Sequence, residues 1–131
     1  MRITRTQLDE IVAHSREEDP NECCGIVAGR DGLATRVFRA RNEFANPMSF
    51  MIHPSDQIRI YNEIDEAGDE IAAIYHSHTR SEAFPSQTDV NLAREWSDPL
   101  WIICSLAEAE PVVRSFAIRD GAVEEVELVV G

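Results

Sequence analysis

The stretch AIYHSHTRSEAFPSQTDVNLA, residues 73–93, starts in an apolar run and ends in a short helical pattern. IAAIY, residues 71–75, is apolar without alternation, which is typical of a central strand covered on both faces. Ser86-x-x-Asp89 ahead of apolar residues is typical of a helix-capping box, and a helix is predicted over residues 87–97. The stretch therefore predicts a buried strand, a loop and a helix, which are the units of α/β domains.

The rest of the chain adds helices and strands around this unit. Before the stretch, the patterns predict a helix over 5–18, a hairpin over 23–40 turning at Asp31-Gly32, a strand over 49–53 and a helix over 54–67 that Gly68 stops. After it, they predict a covered strand over 100–106 and a hairpin over 111–130 turning at Asp120-Gly121. The first two helices carry their apolar stripes on Leu8, Ile11 and Val12, and on Ile58, Tyr61 and Ile64. Helices between buried strands indicate an α/β sandwich around a mixed sheet.

Length, charge and hydropathy restrict the class of protein. A chain of 131 residues with 44% hydrophobic and 27% charged residues suits one globular domain, residues 1–131. The net charge of −12 argues against binding nucleic acid through a basic face. No apolar run approaches the ~20 residues that a bilayer-spanning helix needs, and the opening MRITRTQLDEIV lacks the apolar core of a signal peptide. We therefore expect a cytoplasmic protein that does not bind membranes.

The positive charges are unusual in kind, because all twelve are arginine and lysine is absent. A GC-rich genome would produce this usage without any physical consequence. A surface adapted to salt would produce it too, since excess carboxylates repel one another until salt screens them. Adaptation to salt predicts a melting temperature that rises steeply from low to molar salt, and a flat response would contradict this explanation.

Three cysteines do not make a disulfide framework. Cys23 and Cys24 are adjacent, Cys104 is distant, and the count is odd. Reduced thiols in a cytosolic chain are the simpler interpretation. The apolar segments around Cys24 and Cys104 favour packing as small hydrophobes over chemistry.

His76 and His78 follow the covered strand directly, and a period of two places both on the same side of it. They could simply be polar residues of one strand face. The end of a covered strand is also where α/β proteins tend to open their pockets, and two imidazoles there can bind one zinc ion. Asp89, in the first turn of the next helix, can fold back to offer a carboxylate. Three protein ligands leave a fourth position for water, as in a catalytic zinc site.

A hydrolytic zinc also needs a base that takes a proton from water and hands it to the leaving amine. Glu22 precedes the first strand of the hairpin and is the best candidate, although a glutamate there is usually a solvated edge residue. The other histidines have plainer interpretations. His53, before Pro54, is a turn or strand-end residue, and His14 is a positive imidazole that complements the C-terminus of the first helix.

Together these residues form the pattern E-x(n)-H-S-H-x(7)-S-x(2)-D, carried by Glu22, His76-Ser77-His78, Ser86 and Asp89 with TRSEAFP as the spacer. In this pattern the chain resembles the JAMM (MPN+) metallopeptidases. ECCGIVAG is similar to the family's E-x-C-G segment, and the order of elements fits nearly the whole chain. Thr79 stands where most members carry proline, and the stretch is most similar to the small bacterial members of the Mec+ type.

The resemblance implies a fold and a set of roles. The fold is an α/β three-layer sandwich with a central mixed β-sheet flanked by helices, related to cytidine deaminases. By the resemblance, His76, His78 and Asp89 are ligands of one Zn²⁺. Glu22 is the general acid–base, and Ser86 is the donor to the oxyanion, a role that can be worth ~3 kcal/mol.

Mec+-type enzymes work in cysteine biosynthesis with a ubiquitin-like sulfur carrier protein. The resemblance implies hydrolysis of the amide bond after the carrier's C-terminal glycine, which releases cysteine or a short C-terminal extension. The carrier's glycine-ended tail could pair as an added strand against a sheet edge. NEFANPMSFMIH, residues 42–53, could border such a groove or be an ordinary loop and strand.

Other functions stay open at this point. A zinc nucleobase deaminase would need H-x-E followed by P-C-x-x-C, and the chain has neither. A non-catalytic MPN scaffold would have lost ligands that this sequence retains. A zinc isopeptidase that removes ubiquitin-like modifiers from protein lysines would use the same residues, so only its substrate distinguishes it.

Overall fold

The computed structural model describes residues 1–96 and 98–131, and these form one eight-stranded sheet with helices on both faces. The helices are α1 (Arg5–Glu18), α2 (Pro54–Ala67) and α3 (Gln87–Ala93). The strands are β1 (Arg2–Ile3), β2 (Cys24–Arg30), β3 (Leu33–Ala40), β4 (Glu70–His78), β5 (Leu100–Ser105), β6 (Val112–Arg119), β7 (Ala122–Val126) and β8 (Val129–Val130).

The strand order across the sheet is β7-β6-β5-β4-β2-β3-β1-β8. The sheet is mixed, because β4 pairs parallel with β5 and antiparallel with β2. On one face α1 packs over a core that includes Ile11 and Tyr75. On the other face α2 and α3 bury Ile60 and Val90 against Ile74. The predicted α/β three-layer sandwich with a central mixed sheet is confirmed.

Both predicted hairpins turn where the sequence has Asp-Gly. Asp31 and Gly32 have φ of 53° and 78°, and Asp120 and Gly121 have φ of 51° and 81°. Two consecutive residues with positive φ match the twist of paired strands, and aspartate and glycine adopt that conformation at the least cost.

The helices begin where predicted, and α1 and α2 also end where predicted. α2 starts at Pro54 and stops at Gly68, which is left-handed with φ of 72°. The helix predicted over 87–97 is shorter, because the three N–H groups after Ala93 bond to carbonyls three residues back; Ser97 lies outside the described residues. In residues 1–96 and 98–131 no helix has the length and hydropathy of a membrane span.

The predicted strand over residues 49–53 is wrong. Residues 41–53 form a loop, the β3–α2 loop, with a single bridge between Asn42 and Ile52. The side-chain amide of Asn42 bonds backbone groups of this loop. Those groups are therefore not available to a strand ladder, since side-chain amides compete with the backbone for its hydrogen bonds.

The apolar stripe of α2 is also corrected. Ile60 and Ile64 are buried and Tyr61 is half-buried, but Ile58 is 64% exposed. Ile58 lies two residues before Ile60, which is about 200° around the helix, so both cannot face the sheet. On α1 the predicted stripe is better placed: Leu8 and Ile11 are buried and Val12 is half-buried.

β1 and β8 are two-residue strands that no sequence pattern predicts. The hairpin predicted over 111–130 ends at Val126, and Val129 and Val130 instead pair parallel with β1. Only Glu127 and Leu128 separate β7 from β8, although these two strands are opposite edges of the sheet. Because the three Cα–Cα steps from Val126 to Val129 span at most about 11 Å, the sheet must curl until the end of β7 and the start of β8 lie close together.

Candidate metal centre

The end of β4 carries two buried imidazoles on the face of the sheet that α2 and α3 cover. His76 is 0% exposed and His78 is 4% exposed, and they share this face with Ile74 because strand side chains alternate. Their Nε2 atoms are 3.2 Å apart. The ring of Phe50 stacks on His76 with 4.4 Å between the centroids. Two imidazole nitrogens are thus held close together inside the protein.

Asp89 joins this pair from the first turn of α3. Its Oδ1 lies 3.1 Å from His76 Nε2, and its Oδ2 lies 3.0 Å from His78 Nε2. The capping box brings it there, since Ser86 Oγ accepts the Asp89 N–H at 3.1 Å and the Ser86 N–H donates to Asp89 Oδ2 at 2.9 Å. Burial alone would raise the pKa of Asp89, but the two imidazoles and the Ser86 N–H hold it well below its usual range. The carboxylate is therefore charged and fixed in position.

The three residues suit a metal ion. Their ligand atoms all lie within 4.8 Å of one another. Ligands of a tetrahedral ion at ~2.0–2.1 Å are about 3.3 Å apart, close to the 3.0–3.2 Å between these atoms. His78 Nδ1 lies 2.8 Å from the carbonyl oxygen of Glu82. This contact favours the tautomer with hydrogen on Nδ1, which leaves the Nε2 lone pair for a cation.

Glu22 reaches the same end of the sheet from just before β2. Cys24 pairs with His76 in the β2–β4 ladder, and two further residues of that register bring Glu22 opposite His78. Glu22 is 5% exposed, and within the described residues its Oε1 has no hydrogen-bond partner. The pKa of Glu22 is raised to about 8, chiefly by burial, while the nearby His78 lowers it and the charge of Asp89 raises it. An unpaired buried carboxyl beside possible metal ligands is typical of a tuned general base.

Ser86 is the exposed member of the predicted set. Its Oγ acts as an acceptor in the capping box, so its hydroxyl hydrogen is available to a bound group. The fold therefore brings all the predicted site residues to one end of the sheet: Glu22, His76, His78, Ser86 and Asp89.

The other singled-out histidines have structural roles, and neither role is the predicted one. His14 lies on the buried side of α1, with Nδ1 2.6 Å from the Tyr75 hydroxyl. Burial lowers the pKa of His14 to about 4, so the predicted positive imidazole at the helix C-terminus is wrong. His53, predicted as a turn or strand-end residue, is instead the N-cap of α2, where its Nδ1 accepts the Ser55 N–H at 3.2 Å.

Cys24 and Cys104 pack as small hydrophobes in the two cores, as predicted, and Cys23 packs there too. All three are free and buried. Burial raises the pKa of each thiol, so none is a thiolate near neutral pH.

Two residues of this region carry no signal in the sequence. Phe50 stacks on His76, but it lies in the segment predicted as a strand. Asn42 donates from Nδ2 to the carbonyl of Glu22 at 3.0 Å. Both contacts depend on the path of the β3–α2 loop, which hydrophobic periodicity does not predict.

An ion held by two imidazoles and one carboxylate keeps a coordination position open, and a neighbouring proton acceptor then allows hydrolysis. The fold and this donor set define the class of the protein, which is a metallohydrolase.

Comparison with known proteins gives the family. The family model described as prokaryotic homologs of the JAB domain matches residues 4–119. A CysO-cysteine peptidase of Mycobacterium tuberculosis is 35% identical over 121 residues, which are 90% of this chain and 82% of that protein. A probable TtuB-protein conjugate cleaving protease of Thermus thermophilus is 33% identical over 129 residues, which are 98% of this chain and 81% of that protein. The chain belongs to the prokaryotic JAB-domain family.

A solved structure agrees with this assignment. The solution structure of a Desulfitobacterium hafniense protein has a TM-score of 0.89 and 34% sequence identity, and the match covers 99% of this chain and 92% of that one. The resemblance to JAMM metallopeptidases predicted from the sequence is confirmed by the family and by the fold.

Proposed function

We propose that this chain is a zinc-dependent metallopeptidase that hydrolyses the amide bond after the C-terminal glycine of a ubiquitin-like sulfur carrier protein, releasing cysteine or a short C-terminal extension. The observation that carries the proposal is the convergence of His76, His78 and Asp89 on one point, with the unpartnered Glu22 at the same end of the sheet. Zinc suits two imidazoles and a carboxylate. The names of the mycobacterial and Thermus relatives support the substrate class. Under this proposal residues 1–131 act as one catalytic domain in the cytoplasm.

The five residues of the site divide into three metal ligands, one proton acceptor and one hydrogen-bond donor. His76, His78 and Asp89 would hold Zn²⁺, which supplies Lewis acidity at the scissile carbonyl. Glu22 accepts a proton from the attacking water and delivers it to the leaving amine, and its raised pKa suits a group that takes up and releases a proton near neutral pH. Ser86, whose position the capping box fixes, donates its hydroxyl hydrogen to the oxyanion of the tetrahedral intermediate.

The surroundings of the site support a protein substrate with a flexible tail. A glycine backbone carries no side chain, so it can approach a buried donor set closely. Exposed apolar patches mark protein-binding surfaces. Large exposed apolar side chains occur in the β3–α2 loop and in the loop before α3: Phe44, Met48, Met51 and Phe84.

A second candidate function is the removal of ubiquitin-like modifiers from protein lysines. The name of the Thermus relative, a protein conjugate cleaving protease, favours it. The same side chains would serve, and only the leaving amine changes, from the α-amine of an amino acid to the ε-amine of a lysine in a protein.

The test uses two substrates in parallel. The zinc-loaded protein is incubated with a glycine-ended carrier that bears a C-terminal cysteine, and separately with the same carrier joined to a lysine through an isopeptide bond. Mass spectrometry is expected to show that the first substrate loses one cysteine residue. Cleavage of the isopeptide alone would favour the second candidate, and cleavage of neither substrate would contradict both.

Glu22→Gln separates metal binding from proton transfer. We expect the variant to keep its zinc and to lose about 10²–10⁴-fold in turnover, because only the proton acceptor is removed. Glu18→Gln, an exposed position on α1, is the matched control and should turn over normally. Normal rates in Glu22→Gln would show that the base is another group.

A further inference from the structure

The side chain of Asn42 uses its full hydrogen-bonding capacity where β3 passes into the β3–α2 loop. Its Nδ2 donates to the carbonyls of Glu22 and Ser49, each at 3.0 Å. Its Oδ1 accepts the N–H of Phe44 at 3.0 Å and the N–H of Met51 at 3.1 Å. Two donors and two acceptor sites are all that an asparagine amide offers. One side chain therefore joins both arms of the loop to the residue that we assign as the base.

The backbone of Glu22 is held by this loop on both sides. Its carbonyl accepts from Asn42, and its N–H donates to the carbonyl of Asn46 at 3.1 Å. The ladder of β2 begins only at Cys24. Both backbone hydrogen bonds of Glu22 thus go to the β3–α2 loop, whereas those of its neighbour Cys23 go to Ser77 on β4.

The same loop reaches the donor set and the surface. Phe50 stacks on the ring of His76, whereas Phe44 and Met51, whose N–H groups bond Asn42, have side chains 50% and 42% exposed. The conformation of the loop therefore bears on the base, on one possible metal ligand and on the apolar surface at once.

We propose that Asn42 is a positioning residue that couples the placement of the Glu22 carboxylate to the conformation of the β3–α2 loop. The proposal rests on the proposed function, because Glu22 is the base there. The Nδ2 half of the amide holds the carbonyls of Glu22 and Ser49, and the Oδ1 half holds the N–H groups of Phe44 and Met51, whose side chains lie on the surface proposed to meet the carrier. Loss of the donor half lowers kcat, and loss of the acceptor half raises KM for the carrier.

Asn46 is the matched comparison within the same loop. Its Oδ1 accepts the N–H of Met48 at 2.7 Å, two residues further on, which is a local Asx turn. Removing its side chain disturbs the loop locally and leaves its backbone carbonyl available to the Glu22 N–H. An effect shared by Asn42 and Asn46 variants is therefore a general effect of the loop, and an effect confined to Asn42 is positioning.

The kinetic test compares Asn42→Asp, Asn42→Ala and Asn46→Ala with the wild type on the glycine-ended carrier. Aspartate keeps an acceptor but cannot donate, so we expect kcat to fall about 10- to 100-fold with KM within about twofold, since groups that orient catalytic residues have effects of this size. Asn42→Ala should lower kcat similarly and also raise KM several-fold. Asn46→Ala should stay close to the wild type, and zinc content should be unchanged throughout. Wild-type kcat in both Asn42 variants would overturn the proposal.

A second readout on metal-free protein does not depend on activity. The Glu22 N–H donates to the carbonyl of Asn46, and in hydrogen-exchange measurements it should exchange faster in both Asn42 variants, because the segment before β2 opens more readily once the Glu22 carbonyl has lost its donor. The Phe44 and Met51 N–H groups should stay protected in Asn42→Asp and lose protection in Asn42→Ala. Unchanged protection at Glu22 overturns the proposal whatever the substrate is. An outcome in which the wild type cleaves no carrier, while the Glu22 N–H still loses protection in the Asn42 variants, distinguishes the two proposals. In that case the proposed function fails and the positioning role of Asn42 stands. An unfolded Asn42→Asp would show a role in folding instead, and would also overturn it.

Discussion

Helices α1 and α3 begin with the same hydrogen-bonded arrangement at opposite parts of the chain. At α1, Thr4 Oγ1 accepts the Gln7 N–H at 3.1 Å and the Thr4 N–H donates to Gln7 Oε1 at 2.9 Å. At α3, Ser86 and Asp89 repeat both bonds at 3.1 Å and 2.9 Å. The two capping boxes are therefore nearly identical in geometry, although only the second lies beside two buried histidines.

The two capping boxes differ in the groups that the third residue of each helix contacts, Gln7 in α1 and Asp89 in α3. Gln7 Nε2 donates to the carbonyl of Ala34 at 3.1 Å, which joins α1 to β3. The Asp89 carboxylate faces His76 and His78 instead. A capping box fixes a side chain in space, and the neighbouring strand decides whether that side chain serves packing or chemistry.

The largest expected effect on zinc binding and turnover is that of Asp89→Asn. Asparagine keeps the shape and an acceptor for the Ser86 N–H but removes the charge that attracts a cation. We expect zinc binding to be lost and turnover to fall by more than the roughly 10³-fold that a lost oxyanion donor can cost, measured by elemental analysis and carrier cleavage. Gln7→Glu, which keeps the other capping box and adds a carboxylate, should leave both unchanged. Zinc retained in Asp89→Asn would remove Asp89 from the ligand set.

Ser86→Ala and Thr4→Ala test the two capping residues against each other. Each loses a cap worth ~1 kcal/mol, which lowers the melting temperature by about 4 °C for a chain of this size. Only Ser86→Ala should also lower kcat, by about 10²–10³-fold, and Ser86→Thr should restore part of it. Equal kcat values in the two alanine variants, measured in steady state, would leave Ser86 as a helix cap alone.

The smallest expected effect is on the pH dependence of stability, and it tests the structural role of the buried His14 in α1. Burial lowers its pKa from 6.5 to about 4 in the folded protein, so the unfolded chain binds more protons between these values. The stability that His14 contributes is present above pH 6.5 and is lost as the pH falls toward 4. Unfolding by urea from pH 7.5 to 4.5 should show a steeper loss in the wild type than in His14→Gln. Parallel curves would mean that the imidazole titrates normally in the folded state.

The sequence predicts those features whose causes are local. The Asp-Gly turns, the left-handed stop at Gly68 and the capping box at Ser86 each follow from one or two residues, and the structure contains all of them. The covered strand predicted at 71–75 lies within β4 for the same reason, since an apolar run without alternation needs cover on both faces.

The remaining features depend on tertiary contacts that spacing does not encode. Burial lowers the pKa of His14 to about 4, and the imidazole is buried where it meets the hydroxyl of Tyr75 on β4. Residues 49–53 do not form a strand because Asn42 bonds the backbone of the loop. β8 pairs with β1 only because the whole sheet curls. For the candidate site, the motif and the family resemblance that it carries select the residues, but the contacts of Asn42 and Phe50 follow only from the path of the chain.

The most direct test of the central claim is a calorimetric titration of zinc into metal-free protein. We predict one site per chain in the wild type and in Glu22→Gln, and no binding in His78→Ala or Asp89→Asn, because the imidazoles and the carboxylate share one ion. The wild type failing to bind zinc, or His78→Ala binding it with unchanged affinity, would contradict the claim.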